Sequence, residues 1–392
     1  MKITQTNMNN YSHLKSFKGY EAMPLKAICL KTNRIYTEDI VEVASELKEI
    51  GEKTGFKVFL QNGIDVITGF KKNIQNLTED YYYWLQDYCT LLDNKKLLIS
   101  NGFDYVQESK NALFLADKLK VAPYYPQYDN PRLLQLNMCE TEDYIFPNEL
   151  AGGNFFIGKY RDGGKYALVG ENCKDILSPY QMQKLLNVDS IYYCPQIDFH
   201  IDMGIRPLAN RTILVADDNL TLELLEKISQ GEAKNNKALK KYIRNFKNSI
   251  KRNEKLNKKA TSAETINALE QQNFKIIRVP GRLYSIDAPK GGKPSLVCDF
   301  NFMNAIVHQK KDGKLVYITN DSIGNEELGI DFNKLFADYI KESCSEIAEV
   351  YFIKGKNNFI AQGVKERYGG IHCMTMEVPA FPKKRARGES NP

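Results

Sequence analysis

An α/β fold is predicted, because short runs rich in β-branched and aromatic residues alternate with longer stretches of helical apolar spacing over most of the chain. With 43% apolar residues in a chain of 392, there is enough side-chain volume for a large core. No segment approaches the roughly 18 continuous apolar residues of a membrane span. The N-terminus has no apolar run of signal-peptide length, so a cytoplasmic location and no membrane partner are expected.

In chain order, Ala27-Ile28-Cys29-Leu30 reads as a strand, followed by a helix over 38–52 and a strand at Lys57-Val58-Phe59-Leu60. A second helix is predicted over 78–92, with Leu97-Leu98-Ile99 as the strand after it. Further strands are expected at 153–158, 165–170, 198–206, 212–216, 274–279, 314–319, 348–354 and 371–378. No internal repeat is evident by eye, but roughly five strand-helix units of 60 to 80 residues would fill this length. The segment 236–257 reads as a helix, with Leu239, Ile243, Phe246 and Ile250 spaced 4, 3 and 4 apart.

The net charge of +6 hides an asymmetry. Residues 231–260 hold eleven Lys and Arg against Glu232 and Glu254, so this segment carries +9 and the rest of the chain −3. A helix with one apolar stripe and a basic outer face suits an acidic macromolecular partner, nucleic acid or an acidic protein, although a merely solvated face has the same composition. The tail from residue 381 is charged and has no apolar anchor, so disorder is expected there. Eight cysteines without C-x-x-C spacing argue against a structural zinc site and a disulfide framework.

Two segments carry chemistry. The chain has four histidines, and two of them fall in Phe199-His200-Ile201-Asp202-Met203 and Gly369-Gly370-Ile371-His372-Cys373-Met374-Thr375-Met376. In a strand, residues i and i+2 share a face, so His200 and Asp202 are expected to point into one site with Ile201 turned away. The same alternation groups Cys373 with Ile371 and Thr375 and turns His372 aside, which leaves His372 out of the acid–base role. Together the segments suggest a cysteine nucleophile and a histidine acid/base. An unperturbed thiol ionises near about pH 8.5, so Cys373 needs a cationic neighbour, either a protonated histidine or the substrate itself. Each motif also has a plain structural reading, a hydrogen-bonded histidine and an inert buried cysteine.

A late G-G-x-H-C-M-T-M run after an upstream H-x-D resembles the guanidino-group-modifying enzymes, which include arginine, agmatine and peptidylarginine deiminases and amidinotransferases. Asp104-Tyr105-Val106-Gln107-Glu108 and the later Tyr128-Asp129-Asn130-Pro131-Arg132 are similar to a tryptophan-isoleucine-glutamine-aspartate stretch and a D-x-P-R of the peptidylarginine deiminases. Gly152-Gly153-Asn154 resembles a turn that opens a module of the family, and Asn301-Phe302-Met303-Asn304-Ala305-Ile306-Val307 a segment between its H-x-D and cysteine. The resemblance implies a five-module α/β propeller, the pentein fold, as one catalytic domain over 1–380 with the basic helix as an insertion.

It also implies roles. Cys373 attacks the guanidinium carbon, His200 is the acid/base, and Asp202 with Glu108 grips the cation, with Asp104 as the alternative to Glu108. Arg132 contacts the backbone carbonyls of a peptidyl substrate, and Asn154 lies with the substrate-binding residues. The implied activity is conversion of arginine, in a protein or as a small guanidino compound, to a ureido product and ammonia. Transfer of the amidino group to an amine uses the same residues. An inactive binding module that works through the basic helix is the alternative from another class. No cofactor or metal is implied, since no D-x-D-x-D loop is present.

Overall fold

The computed structural model describes residues 22–32, 36–61, 85, 89–91, 96–99, 115–117, 120, 122–124, 152–160, 164–175, 177–231, 233–256, 260–287, 295–323, 328–367 and 369–380. The first part holds β1 (Leu25–Lys31), α1 (Thr37–Thr54), β2 (Lys57–Gln61), β3 (Cys89–Leu91), β4 (Lys96–Ile99) and β5 (Ala122–Tyr124). The middle holds β6 (Phe155–Lys159), β7 (Lys165–Gly170), α2 (Pro179–Leu186), β8 (Ser190–Cys194), β9 (Ile205–Pro207), β10 (Thr212–Ala216), α3 (Asp218–Gln230), α4 (Lys237–Leu256), α5 (Ser262–Gln271) and β11 (Lys275–Val279). The last part holds β12 (Arg282–Asp287), β13 (Ser295–Asn301), β14 (Ile306–Gln309), β15 (Leu315–Asn320), α6 (Phe332–Ser343), β16 (Ile347–Ile353), α7 (Phe359–Arg367), α8 (Ile371–Met374) and β17 (Met376–Pro379).

Among the described residues the strands form five three-stranded sheets and the hairpin β12–β13. Every three-stranded sheet has the same plan: its middle strand runs antiparallel to one neighbour and parallel to the other. In one of them β1 pairs with β17, Leu25 opposite Pro379, so strands from the two ends of the chain are neighbours. Several helices begin where side chains satisfy their first N–H groups. Ser178 and Gln181 form a capping box on α2, Thr261 and Glu264 another on α5, and Asp217 accepts from Asn219 and Leu220 on α3. No helix among the described residues is long and apolar enough to cross a membrane.

Three predictions of local structure are corrected. The helix expected over 78–92 does not reach its end, because Cys89–Leu91 is a strand paired with β4. Residues 198–206 are not one strand: Ile201–Met203 is a single 3₁₀ turn, and only Ile205–Pro207 pairs with β10. Residues 371–374 are a helical turn, and the strand begins only at Met376. The basic segment is a helix, as its spacing predicts, with Leu239, Ile243 and Phe246 buried in the core between α3, β12–β15 and α6. The predicted tail lies outside the described residues.

Two core clusters aim the site. Ile371 and Met374, one helical turn apart, sit in the cluster that also holds Ile28, Leu30, Ile318 and Ile360. Ile201 sits with Phe156, Ile205, Ile213 and Val215. Burial of these apolar residues orients the polar ones between them toward the opposite side.

Candidate active site

The two chemical segments reach their conformation through side chains from elsewhere. The N–H of Ile201 is taken by Asn154 Oδ1 at 3.3 Å, and the carbonyl of Phe199 accepts from Gln196 Nε2 at 2.7 Å. These replace the strand ladder that the local sequence favours. At α8, Ile371 N donates to Asn320 Oδ1 at 2.7 Å, while His372 N and Cys373 N donate to Asn304 Oδ1 at 3.0 and 3.3 Å. The first N–H groups of a helix have no partner within it, and here two asparagine amides supply one. Asn304 is itself held at its N–H by Asn301 Oδ1, and Asn320 Nδ2 bonds the Asn301 carbonyl at 2.5 Å. Asn154, Asn301, Asn304 and Asn320 are all fully buried.

Because Asn304 Oδ1 faces two N–H donors, its Nδ2 must face the other way. It lies 3.0 Å from Cys373 Sγ and 2.7 Å from Asp202 Oδ2. Cys373 Sγ donates to the same Asp202 oxygen at 3.5 Å. His372 Nδ1 reaches it at 2.8 Å. Asp202 and Cys373, 171 residues apart, thus share one buried contact set. Gly153 is where His200 joins: a Cβ there would lie 2.8 Å from His200 Nδ1 and 3.1 Å from each Asp202 carboxylate oxygen, so both side chains close on its bare backbone. At Gly370 a Cβ would overlap the Asn320 carboxamide.

Behind Asp202 lies a charged pair that the sequence reading did not identify. Arg206 has no exposure; its NH1 meets His372 Nε2 at 2.8 Å and its NH2 meets Glu377 Oε1 at 2.9 Å. Phe156 packs on both, 5.1 Å from the Arg206 guanidinium and 5.8 Å from the His372 ring. Burial, then the Arg206 charge, then nearby His200 hold His372 well below the ordinary histidine range. Burial pushes the Glu377 carboxyl up, opposed by Arg206.

The structure therefore places Cys373 against Asp202, and His200 beside Asp202 over Gly153. It also corrects the placement of His372, which stands inside the site: on a helical turn successive side chains diverge by about 100°, not the 180° of a strand. Asn154 bonds Asn172, Gln196 and the N–H of Ile201, which makes it a support for the His200–Asp202 turn. Glu108, Asp104 and Arg132 lie outside the described residues. Asn304 is the residue whose role sequence reasoning missed; its segment was singled out, but nothing local linked it to the sulfur. Asn320, Arg206 and Glu377 left no local signal.

No protein-family model and no curated protein sequence matches the chain. Among solved structures, the agmatine deiminase of C. jejuni matches with a TM-score of 0.53 at 12% identity, over 92% of this chain and 95% of that one. The same enzyme as a variant with substrate bound matches at 0.51 and 11% identity, over 92% and 96%. At these identities the likeness establishes the fold alone, an α/β fold like that of this agmatine deiminase.

Proposed function

We propose that this chain, which has the fold of the agmatine deiminases, is a cysteine-dependent guanidino hydrolase that releases ammonia and leaves a ureido group. The observation that carries the reading is the buried contact of Cys373 Sγ with the Asp202 carboxylate, with the His200 ring beside that same carboxylate over Gly153.

The chemistry follows from charge. A thiol 3.5 Å from a carboxylate resists ionisation, because two anions would face each other. A guanidinium held by Asp202 cancels that charge and favours the thiolate, so the nucleophile forms when a cationic substrate is in place. Its proton passes to His200. Asn304 Nδ2–H then donates to the sulfur anion while Sγ attacks the guanidinium carbon. His200 gives its proton to the departing nitrogen, the C–N bond breaks and ammonia leaves. Water deprotonated by His200 attacks the S-bound carbon, the C–S bond breaks as the new hydroxyl gives its proton to solvent, and the His200 proton returns to sulfur.

In this reading the five sheets are the modules of one catalytic unit over 1–380, closed around the site. Its second cation-gripping carboxylate is Glu108, or Asp104 in its place. Arginine within a protein is the substrate we favour, since Arg132 in the D-x-P-R-like stretch suits the carbonyls of a peptide backbone. The test is incubation with arginine, agmatine and an arginine peptide with blocked termini, reading ammonia and the ureido product by mass spectrometry. Ammonia from wild type and none from Cys373→Ala supports the hydrolase. Release from none of the three overturns it. A much higher kcat/KM on free arginine or agmatine than on the blocked peptide overturns only the peptidyl assignment.

A further inference from the structure

We infer that His372 is a positioning residue whose neutral ring, locked in one tautomer by the buried Arg206–Glu377 pair, holds the Asp202 carboxylate for a cationic substrate. The inference rests on the guanidino-hydrolase reading and deepens it.

The lock follows from donor counting. A guanidinium has donors and no acceptor, so the His372 Nε2 that meets Arg206 NH1 at 2.8 Å carries its lone pair. The single ring proton is then on Nδ1, pointed at Asp202 Oδ2 at 2.8 Å. A second ring proton would set N–H against N–H at Arg206, so the imidazolium is excluded by geometry as well as by burial. His372 therefore moves no proton in the reaction.

What it transmits is polarisation. A direct Arg206–Asp202 ion pair would neutralise the carboxylate that has to hold a guanidinium. With the ring interposed, Arg206 strengthens the Nδ1–H donor while its own charge is met by Glu377 at 2.9 Å. Asp202 keeps its negative charge and a fixed orientation, with Oδ2 also held by Asn304 Nδ2 at 2.7 Å. Among the described residues, the charged and titratable groups that face this carboxylate include His372, Cys373 and His200, and those that face the ring include Arg206, Glu377 and His200.

Two measurements test this on the full chain. Cys373 is alkylated with a cationic haloacetamidine and with the neutral haloacetamide of the same halogen, and the ratio of rates reports cation capture beside the sulfur. In His372→Leu, which has no donor, the ratio should fall about tenfold, the equivalent of one pKa unit of interaction. In His372→Asn, whose amide can still donate to Asp202, it should stay within about threefold of wild type. Circular dichroism confirms folding in both. An unchanged ratio in folded His372→Leu, or an equal fall in His372→Asn, overturns the inference. If His372→Leu does not fold, ¹⁵N NMR of wild type decides: a neutral Nδ1–H ring at pH 7 upholds the lock, and an Nε2–H or doubly protonated ring overturns it. A wild-type ratio showing no preference for the cation would instead defeat the guanidino-hydrolase reading.

Discussion

Asn304 is the residue on which the site's geometry turns, because one amide caps α8 through its oxygen and faces both Cys373 Sγ and Asp202 through its nitrogen. Hydrogen bonds to charged groups contribute about 1.5–3 kcal/mol, so Asn304→Ala should slow alkylation of Cys373 by a haloacetamidine by about tenfold to 100-fold. Stopped-flow or mass-spectrometric labelling rates check it, and an unchanged rate would remove Asn304 from the nucleophile's surroundings. Asp202→Asn should abolish cation capture, since an amide turns its own N–H donors toward those of a guanidinium. The measurement is KM or the inhibition constant of a guanidino compound. At this scale Cys373, His200 and Asp202 were legible because rare residue types sat in compact motifs. Strand alternation turns His372 away from the site, whereas the helical turn at 371–374 sets its ring against Asp202. Arg206 and Glu377 lie 171 residues apart and have no pattern in common to connect them.

Helix α4 shows how an element can be legible while its purpose is not. Its 4-3-4 apolar spacing predicts both the helix and its buried side, and Leu239 and Phe246 are indeed core residues. Phe246→Ala should cost about 3–5 kcal/mol of stability through transfer and cavity terms, measured by chemical denaturation. The outer face is basic, with Lys240, Lys241, Arg244 and Lys247 exposed and Lys247 paired to Glu226. If it docks an acidic macromolecular partner, reversing those four to Glu should weaken modification of a protein substrate in a salt-sensitive way and spare a small guanidino compound. Equal loss on both substrates would count against docking. The 201–203 and 371–374 turns were not legible at this scale. Their N–H groups are satisfied by asparagines 47 to 69 residues away, and no local propensity encodes such partners.

For the whole molecule, two buried neutral histidines couple stability to pH. His308 Nδ1 accepts from Leu25 N at 3.0 Å and its Nε2 bonds the Thr54 carbonyl at 3.0 Å, tying β14 to β1 and α1. Burial lowers the pKa of His308, and burial with Arg206 lowers that of His372, both from an ordinary value of 6.5. Below that value the unfolded chain takes up protons that the folded chain refuses, so stability falls as pH falls, by up to about 1.4 kcal/mol per pH unit for each histidine. Urea midpoints measured from pH 7.5 down to 5.5 should decline, and more shallowly in His308→Gln. A midpoint that rises on acidification would contradict neutral burial.

The sequence by itself determined the α/β class, most of the strands that it named and the basic helix with its buried stripe, and it pointed to His200, Asp202 and Cys373, the residues that the proposed chemistry uses. Each of these rests on local information, a period of two or 3.6 or a run of unusual residue types. Only the tertiary structure decided that His372 faces Asp202, that Asn304 touches the sulfur, and that Arg206 and Glu377 stand behind them. Those contacts join segments up to 171 residues apart, and the backbone turns that permit them exist because distant asparagine side chains take the place of strand or helix partners.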